Sequence, residues 1–303
     1  MNKLRSIIAI TRLNRPIGIY LLIYPSLIAF IFASQLLTNA EIMTPKSLNI
    51  LLYKSLAIII IGAILVRSTG CVINDIFDRK FDKDVERTND RPLASGVMSL
   101  NEALILFLVL GVFSFLLLLQ TNSQTILVGL CTAIMIILYP LSKRFILGPQ
   151  FFLALTFGAS VPIVFSILGQ LNYEHSTSIV LLFLWNACWI ISYDTIYALG
   201  DAKDDIKIGV NSTALMWGDK SNDNIKNYRT ISILFLILFG AMESFSLVWP
   251  IGLLLVLYIS HLYQQNLIEN KNFLLAFKSN NYTGLAILML MILEIYILPL
   301  FFR

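Results

Sequence analysis

The sequence predicts an all-α, multi-pass membrane protein. It is 57% hydrophobic and only 13% charged, whereas soluble domains carry about 25% charged residues. The mean hydropathy is +0.79, and the apolar residues fall into runs close to the ~20 residues that an α-helix needs to cross a bilayer. Together these observations exclude a soluble domain.

We expect one domain, residues 1–303, with nine transmembrane helices. A basic N-terminal arm is followed by two spans, an acidic connection (74–101), four spans, a second acidic connection (200–229) and three spans. The arm is not predicted to be a cleavable signal, because the apolar run after it is too long. The predicted spans are 17–37, 51–73, 102–120, 124–141, 151–168, 178–199, 230–247, 250–266 and 284–302.

The basic residues predict the orientation. With a cytoplasmic N-terminus, all of the 22 Lys and Arg residues lie on or near the cytoplasmic side except Lys46, Lys54 and Arg303. Such an excess is typical of cytoplasmic loops. Both acidic connections then lie on the cytoplasmic face. The net charge of +4 follows from this topology, so it is no argument for nucleic-acid binding.

The first acidic connection begins with side chains at helical spacing. Asn74, Asp78 and Asp82 are four residues apart and would share one helix face, with Asp75 at its edge. Carboxylates so close together repel unless cations compensate them. Amide and carboxylate oxygens suit a hard cation such as Mg²⁺. The alternative is a solvated loop whose acids pair with neighbouring basic residues.

A second acidic segment repeats this arrangement. Asp201 and Asp205 are four residues apart, and Asp194 precedes Asp201 by seven, so all three fall on one helical stripe beside Tyr197. Asp194 lies within the sixth predicted span, and an acid inside the membrane indicates a functional site. Two acidic segments on one face predict a magnesium–diphosphate site.

Basic residues that could bind phosphate or carboxylate lie nearby. Arg67 precedes Asn74 by seven residues, about 10 Å deeper on the same helix face. Lys143 follows Tyr139 by four residues at the end of the fourth span. Arginine binds such anions as a bidentate fork and lysine as a point charge. Further candidates in the arm and loop are Arg15, Arg87 and Arg91.

The cysteines and histidines suggest no site. The three Cys residues are far apart inside predicted spans, and the two His residues are isolated. Neither set has metal-ligand or disulfide spacing.

The acidic segments resemble the two signatures of the UbiA-type intramembrane prenyltransferases. The first signature is matched by 74–82, Arg87-Thr88 and 91–96, and the second by 193–205, 207–209 and Ser212-Thr213. Further segments are similar to those of the bacterial branch of this family that prenylates 4-hydroxybenzoate. They are 15–18, 70–72, 139–144 and 280–282. The resemblance covers essentially the whole chain.

The resemblance implies nine helices around a central cavity, capped by the cytoplasmic loops, in the bacterial inner membrane. It implies transfer of a polyprenyl group from polyprenyl diphosphate, whose tail lies among membrane lipid, to 4-hydroxybenzoate in ubiquinone biosynthesis. The implied Mg²⁺ ligands are Asn74, Asp78, Asp82, Asp201 and Asp205. The implied substrate-binding residues are Arg67 for the carboxylate, Lys143, Arg87 and Arg15 for the diphosphate, and Tyr197 beside the allylic cation. The implied catalytic residues are Asp75, Asp194 and Tyr139, with Asp194 a candidate for the phenol proton.

Other functions remain open at this point. The acceptor could instead be a naphthoate, haem or a chlorophyll precursor. A cation-coupled transporter would also place acids in the membrane, but nearer its midplane. A purely structural subunit would leave both acidic segments unexplained. Neither the prenyl length nor the oligomeric state follows from the sequence.

Overall fold

The computed structural model describes residues 3–84 and 88–301 and is all-helical over these residues. Nine helical segments in this part of the chain are long and apolar enough to cross a membrane, which confirms the predicted number. They are Ile17–Asn39, Pro45–Asp78, Leu100–Leu118, Ser123–Phe145, Pro149–Ile167, Ser176–Ile208, Thr213–Met242, Val248–Glu269 and Phe273–Leu300.

Thirteen α-helices in the described chain make up these segments and the arm. They are α1 (Lys3–Ile10), α2 (Ile17–Asn39), α3 (Pro45–Asp78), α4 (Leu100–Leu118), α5 (Ser123–Phe145), α6 (Pro149–Gly158), α7 (Ser160–Ile167), α8 (Ser176–Ile208), α9 (Thr213–Trp217), α10 (Ser221–Met242), α11 (Val248–Glu269), α12 (Phe273–Lys278) and α13 (Asn280–Ile292). The fifth span is thus two helices joined at Ala159. After α13 the chain continues as a π-helical turn, Leu293–Ile297, and a 3₁₀ turn, Leu298–Leu300.

Helices α3 and α8 are the longest, with 34 and 33 residues. At 1.5 Å per residue each is about 50 Å long, whereas the hydrocarbon core of a bilayer is about 30 Å thick. Each helix is therefore longer than the hydrocarbon core, and the acidic segments lie at the C-terminal ends of both helices. Gly209, at φ +67, ends α8 with a left-handed residue that glycine adopts without strain.

The predicted second connection differs from the structure. Residues 200–229 were expected to form a loop, yet α8 continues to Ile208 and α10 already begins at Ser221. The lysines of this stretch are exposed, its aspartates are half-buried or exposed, and Arg229 at its end is buried. Amino-acid composition distinguishes the apolar spans from this polar stretch, but it does not tell whether the polar stretch is a helix or a loop.

Helix α8 lies at the centre of the fold. It packs against α6, α10 and α12, and Trp185 and Trp189 are buried on it. Helix α4 is peripheral, with Ala103 its single buried residue. The ends of α3 and α8 are therefore held over a packed interior, which positions the site at one end of the bundle.

Candidate active site

Asp75, on α3, is the most enclosed acid of the first segment, at 2% exposure. Arg12 donates from one nitrogen to both of its carboxylate oxygens, at 2.7 and 2.9 Å, and Arg91 donates to Oδ1 at 3.2 Å. Arg12 stands at φ +59, where the N-terminal arm turns after α1. Both oxygens are thus occupied, and Asp75 connects the arm to the loop before α4.

Asp82 does not stay on the helix face that its spacing suggested. Helix α3 ends at Asp78, and Asp82 begins a 3₁₀ turn, Asp82–Asp84. Its carboxylate accepts from Arg91 Nη1 at 2.8 and 3.0 Å, and its backbone carbonyl accepts from Thr88 at 3.0 Å. The expectation of a single stripe through Asn74, Asp78 and Asp82 was therefore wrong at its last member, because the chain turns after Asp78.

The ion pair between Arg91 and Asp82 affects the pKa of both side chains. Burial raises the pKa of Asp82 above its ordinary value, and the positive charge of Arg91 opposes the rise without cancelling it. Burial would lower the pKa of Arg91, but Asp75 and Asp82 raise it above its ordinary value. Arg91 is therefore a permanent cation between two acids.

Lys143 brings α5 into contact with α3. Its Nζ lies 3.4 Å from Asp78 Oδ2 and 5.6 Å from the centre of the Tyr139 ring. Lys143 also interacts electrostatically with Asp194 of α8, and its backbone carbonyl accepts from Asn211 at 2.9 Å. The predicted Tyr139–Lys143 pair thus stands between the two acidic segments.

Arg67 of α3 is half-buried in the interior, two helical turns before Asn74. Its guanidinium carbon lies 5.4 Å from the centre of the Phe157 ring, and Tyr139, Tyr193 and Asp194 interact with it electrostatically. Its Nε is buried with no hydrogen-bond partner in the described chain. An arginine with a buried spare donor is suited to receive an anionic group.

Gly18 of α2 makes room for this guanidinium. A Cβ built at Gly18 would lie 2.5 Å from Arg67 Nε and 2.7 Å from Nη2. Any other residue at this position would force the guanidinium to move. Gly18 belongs to a motif that the sequence singled out, but no pattern connected it with Arg67.

Asp194 and its neighbours on α8 complete the site. Gln150 of α6 donates a hydrogen bond to Asp194, and Gln150 Oε1 accepts from the backbone of Thr213 at 2.8 Å. The Tyr197 ring packs edge-on against Phe277 with centroids 5.0 Å apart, and Tyr197 interacts electrostatically with Arg91. Asp194, Asp201 and Asp205 all lie on α8, as their spacing predicted.

One of the predicted phosphate-binding residues is not brought into this network. Arg15 is exposed, and its side chain makes no polar contact in the described residues. Arg87 lies outside the residues that the structure describes. Arg12 and Gln150 were not predicted, because their partners are 63 and 44 residues away and no local pattern links them.

The donor set fits magnesium. The Oδ1 atom of Asn74 is buried with no hydrogen-bond partner in the described part of the chain, and the other predicted ligands offer carboxylate oxygens. Within the described ranges no three carboxylate, His or Cys side chains converge on one point. Oxygen donors of this kind suit Mg²⁺, which takes few protein ligands and completes its shell with water and substrate phosphates.

Known proteins are similar to this sequence over most of its length. Residues 17–291 match the UbiA prenyltransferase family. A 4-hydroxybenzoate octaprenyltransferase of Vibrio cholerae is 39% identical over 290 residues, which cover 94% of this chain and 95% of the relative. One of Shewanella loihica is 36% identical with the same coverage.

Solved structures share the fold. A UbiA homologue from Aeropyrum pernix superposes with a TM-score of 0.70 at 18% identity, covering 90% of this chain and 94% of that one. A homologue from Archaeoglobus fulgidus, bound to GPP and Mg²⁺, gives 0.66 at 15% identity, covering 94% and 99%. By sequence and by fold, this chain belongs to the UbiA prenyltransferase family.

Proposed function

We propose that the protein transfers a polyprenyl group from polyprenyl diphosphate to the ring carbon ortho to the hydroxyl of 4-hydroxybenzoate, as a step of ubiquinone biosynthesis. Relatives named 4-hydroxybenzoate octaprenyltransferase support this substrate pair. The observation that carries the proposal is Arg67, whose buried Nε has no partner among the described residues.

Arg67 selects the acceptor in this proposal. The carboxylate of 4-hydroxybenzoate receives a charge-assisted hydrogen bond from the guanidinium, and its ring packs among Tyr139, Tyr193 and Phe157. Haem or a chlorophyll precursor is the less favoured acceptor, because the interior beside this guanidinium is packed too closely to admit even a Cβ on Gly18. A naphthoate also carries a carboxylate, so the assay below includes one.

The diphosphate binds at the cytoplasmic ends of α3 and α8. Asn74, Asp78, Asp82, Asp201 and Asp205 would hold Mg²⁺, which supplies positive charge to the leaving diphosphate when bound. Support for the metal comes from the oxygen-only donors and from the homologue solved with GPP and Mg²⁺.

Cationic side chains assist the same group. The 3.4 Å contact between Lys143 and Asp78 is long for a charge-assisted hydrogen bond, which leaves Lys143 free to donate to a phosphate. Arg87 and Arg15 are proposed as further phosphate ligands from the loop and the arm.

The reaction then follows from charge. The allylic C–O bond breaks with its electron pair going to the diphosphate, and the allylic cation is stabilised by its own delocalisation and by π faces such as that of Tyr197. The electron-rich ortho carbon forms the new C–C bond, and the ring proton at that carbon passes to the released diphosphate or to water, which restores the aromatic ring. Asp194 is proposed to accept the phenol proton or to orient the hydroxyl, with Tyr139 lining the pocket.

Asp75 has a different part in this scheme. We predicted it to be catalytic, but its two oxygens are bound by Arg12 and Arg91. This geometry supports a positioning role, in which Asp75 holds the arm and the loop over the site.

We propose that these groups face the cytoplasm, with the chain in the bacterial inner membrane. The polyprenyl diphosphate has a water-soluble head group and an apolar tail. A site at the membrane boundary serves both, because each buried CH₂ of the tail contributes about 0.8 kcal/mol in lipid.

The direct test is product formation by the purified protein. Labelled 4-hydroxybenzoate, a polyprenyl diphosphate and Mg²⁺ should give a prenylated acid, identified by mass spectrometry. If a dihydroxynaphthoate is prenylated and 4-hydroxybenzoate is not, the family assignment stands and the proposed acceptor is wrong. The absence of any prenylated product, with both acceptors, would contradict the proposal as a whole.

A further inference from the structure

Arg229 of α10 is a buried cation outside the active site. It is 5% exposed, and its Nη1 lies 3.3 Å from His261 Nδ1 of α11. In the described ranges no carboxylate lies within ion-pair distance of it. A buried guanidinium without an anion is unfavourable, so this position calls for a negatively charged partner.

Gln264 adds an independent observation one turn along α11. Its side chain is 1% exposed, and in the described chain both its amide nitrogen and its amide oxygen are buried without a hydrogen-bond partner. Buried polar groups are almost always satisfied. Gln264 and His261 lie on the inward face of α11, together with the buried Leu253 and Ile268.

The group is rich in donors. If Arg229 donates to Nδ1 of His261, the imidazole is neutral and carries its proton on Nε2, which is a second donor. Lys226, one turn before Arg229, is exposed and adds positive charge near His261. A guanidinium, an imidazole N–H and an amide NH₂ match an anion with several acceptor oxygens.

The depth of the group identifies the source of that anion. Arg229 lies immediately before the apolar stretch 230–247, and the neighbouring outward faces of α10 and α11 expose Leu234, Ile259 and Leu262. This is the level of the lipid headgroups on the predicted cytoplasmic side. A basic residue that served only to orient the chain would extend into water, whereas Arg229 is enclosed between two helices.

We propose that Arg229, His261 and Gln264 form a binding site for the phosphate of an anionic phospholipid of the cytoplasmic leaflet. The phosphodiester oxygens accept from the guanidinium and from the Gln264 amide, while the acyl chains lie along the exposed leucines and isoleucines. The site is separate from the residues proposed for prenyl transfer.

The test is lipid retention by the purified full-length protein in neutral detergent. Native mass spectrometry with added phosphatidylglycerol should show one tightly held lipid in the wild type. Arg229→Gln should weaken its Kd by about tenfold or more, because a charge-assisted hydrogen bond is lost. Lys220→Gln, which removes an exposed charge near the same helix, should bind as the wild type does.

Three results would overturn the proposal. The first is an equal Kd for Arg229→Gln and the wild type. The second is equal retention of diacylglycerol, which lacks the phosphate. The third is displacement of phosphatidylglycerol by millimolar inorganic phosphate, which would make a free anion the occupant.

A second variant covers the case in which Arg229→Gln fails to fold. Gln264→Leu keeps the charge and removes the unpaired amide, so it should raise the Tm of the lipid-free protein. It should also reduce the rise in Tm that phosphatidylglycerol produces, because one donor to the phosphate is gone. A rise as large as that of the wild type would contradict the site.

Discussion

Gly18→Ala tests whether Arg67 binds the acceptor, without altering any charged group. The new Cβ would lie 2.5 Å from Arg67 Nε and 2.7 Å from Nη2, whereas non-bonded atoms need about 3.5 Å. The guanidinium must therefore retreat by about 1 Å. Because it is the tip of a flexible side chain, it can move without disturbing the helices, and the fold should tolerate the substitution.

The expected loss follows from that displacement. A charge-assisted hydrogen bond of about 2.8 Å would stretch to about 3.8 Å, which is beyond hydrogen-bond range. Such a bond contributes about 1.5–3 kcal/mol, so the KM for 4-hydroxybenzoate should rise by about 10- to 150-fold. The KM for polyprenyl diphosphate should stay within about twofold of the wild-type value, because Arg67 lies about 10 Å below the acids.

The matched control is Gly62→Ala on α3. Its Cβ would meet Leu117 Cδ2 at 3.6 Å, an ordinary contact, and the change in helix propensity is the same. Steady-state kinetics with each substrate varied in turn would separate the two variants. An equal rise in both KM values for Gly18→Ala, or the same rise for Gly62→Ala, would refute the assignment of Arg67 to the carboxylate.

Further expectations concern the acids, the metal, Arg67 itself and the topology. Asp78→Ala and Asp201→Ala should each lower turnover by about 10²–10³-fold while the protein still folds. Asp219→Ala, outside both segments, should change turnover little. Equal losses at all three positions, or unfolding seen by circular dichroism, would show that the substitutions affect stability rather than chemistry. Exhaustive chelation should abolish activity and Mg²⁺ should restore it best among divalent cations, so activity that persists in chelator would contradict the metal site. Arg67→Ala should weaken 4-hydroxybenzoate by about 2–5 kcal/mol, and the wild type should use phenol poorly; a defect confined to the diphosphate KM would show that Arg67 binds the other substrate. A phosphatase reporter that is active only in the periplasm should be active when fused after residue 303 and inactive when fused within 200–229. The opposite result would show that the chain has the reverse orientation.

The nine spans and the α8 stripe could be predicted because both depend on local rules. Apolar runs of about 20 residues become transmembrane helices with little regard to their neighbours. Asp194, Asp201 and Asp205 share a face because helix periodicity continues past the membrane boundary, to Ile208. The same rule failed at Asp82, where α3 had already ended and a turn redirected the carboxylate towards Arg91.

The long-range partners could not be predicted. Arg12 reaches Asp75 across 63 residues of sequence, and Arg12 looked like one of several basic residues that orient the arm. Its role depends on a positive φ and on the way that α1 packs against α3, and neither leaves a mark in a single sequence. Gly18 was visible as part of a motif, but its purpose became clear only when the Arg67 guanidinium was found against it.

The acids of the first segment divide into two groups, and the division explains how such a site can exist before substrate binds. Asp75 and Asp82 pair with Arg12 and Arg91 through short contacts of 2.7 and 2.8 Å. Among the described residues, Asp78 pairs only with Lys143, at 3.4 Å and from another helix. Removing one partner of a tight buried pair costs more than losing a loose one, so the arginine pairs stabilise the loop and the arm, whereas the Lys143–Asp78 pair can separate at small cost. Asp78 and Lys143 can therefore change partners readily, as the proposed binding of Mg²⁺ and diphosphate requires, whereas Asp82 would first have to release Arg91.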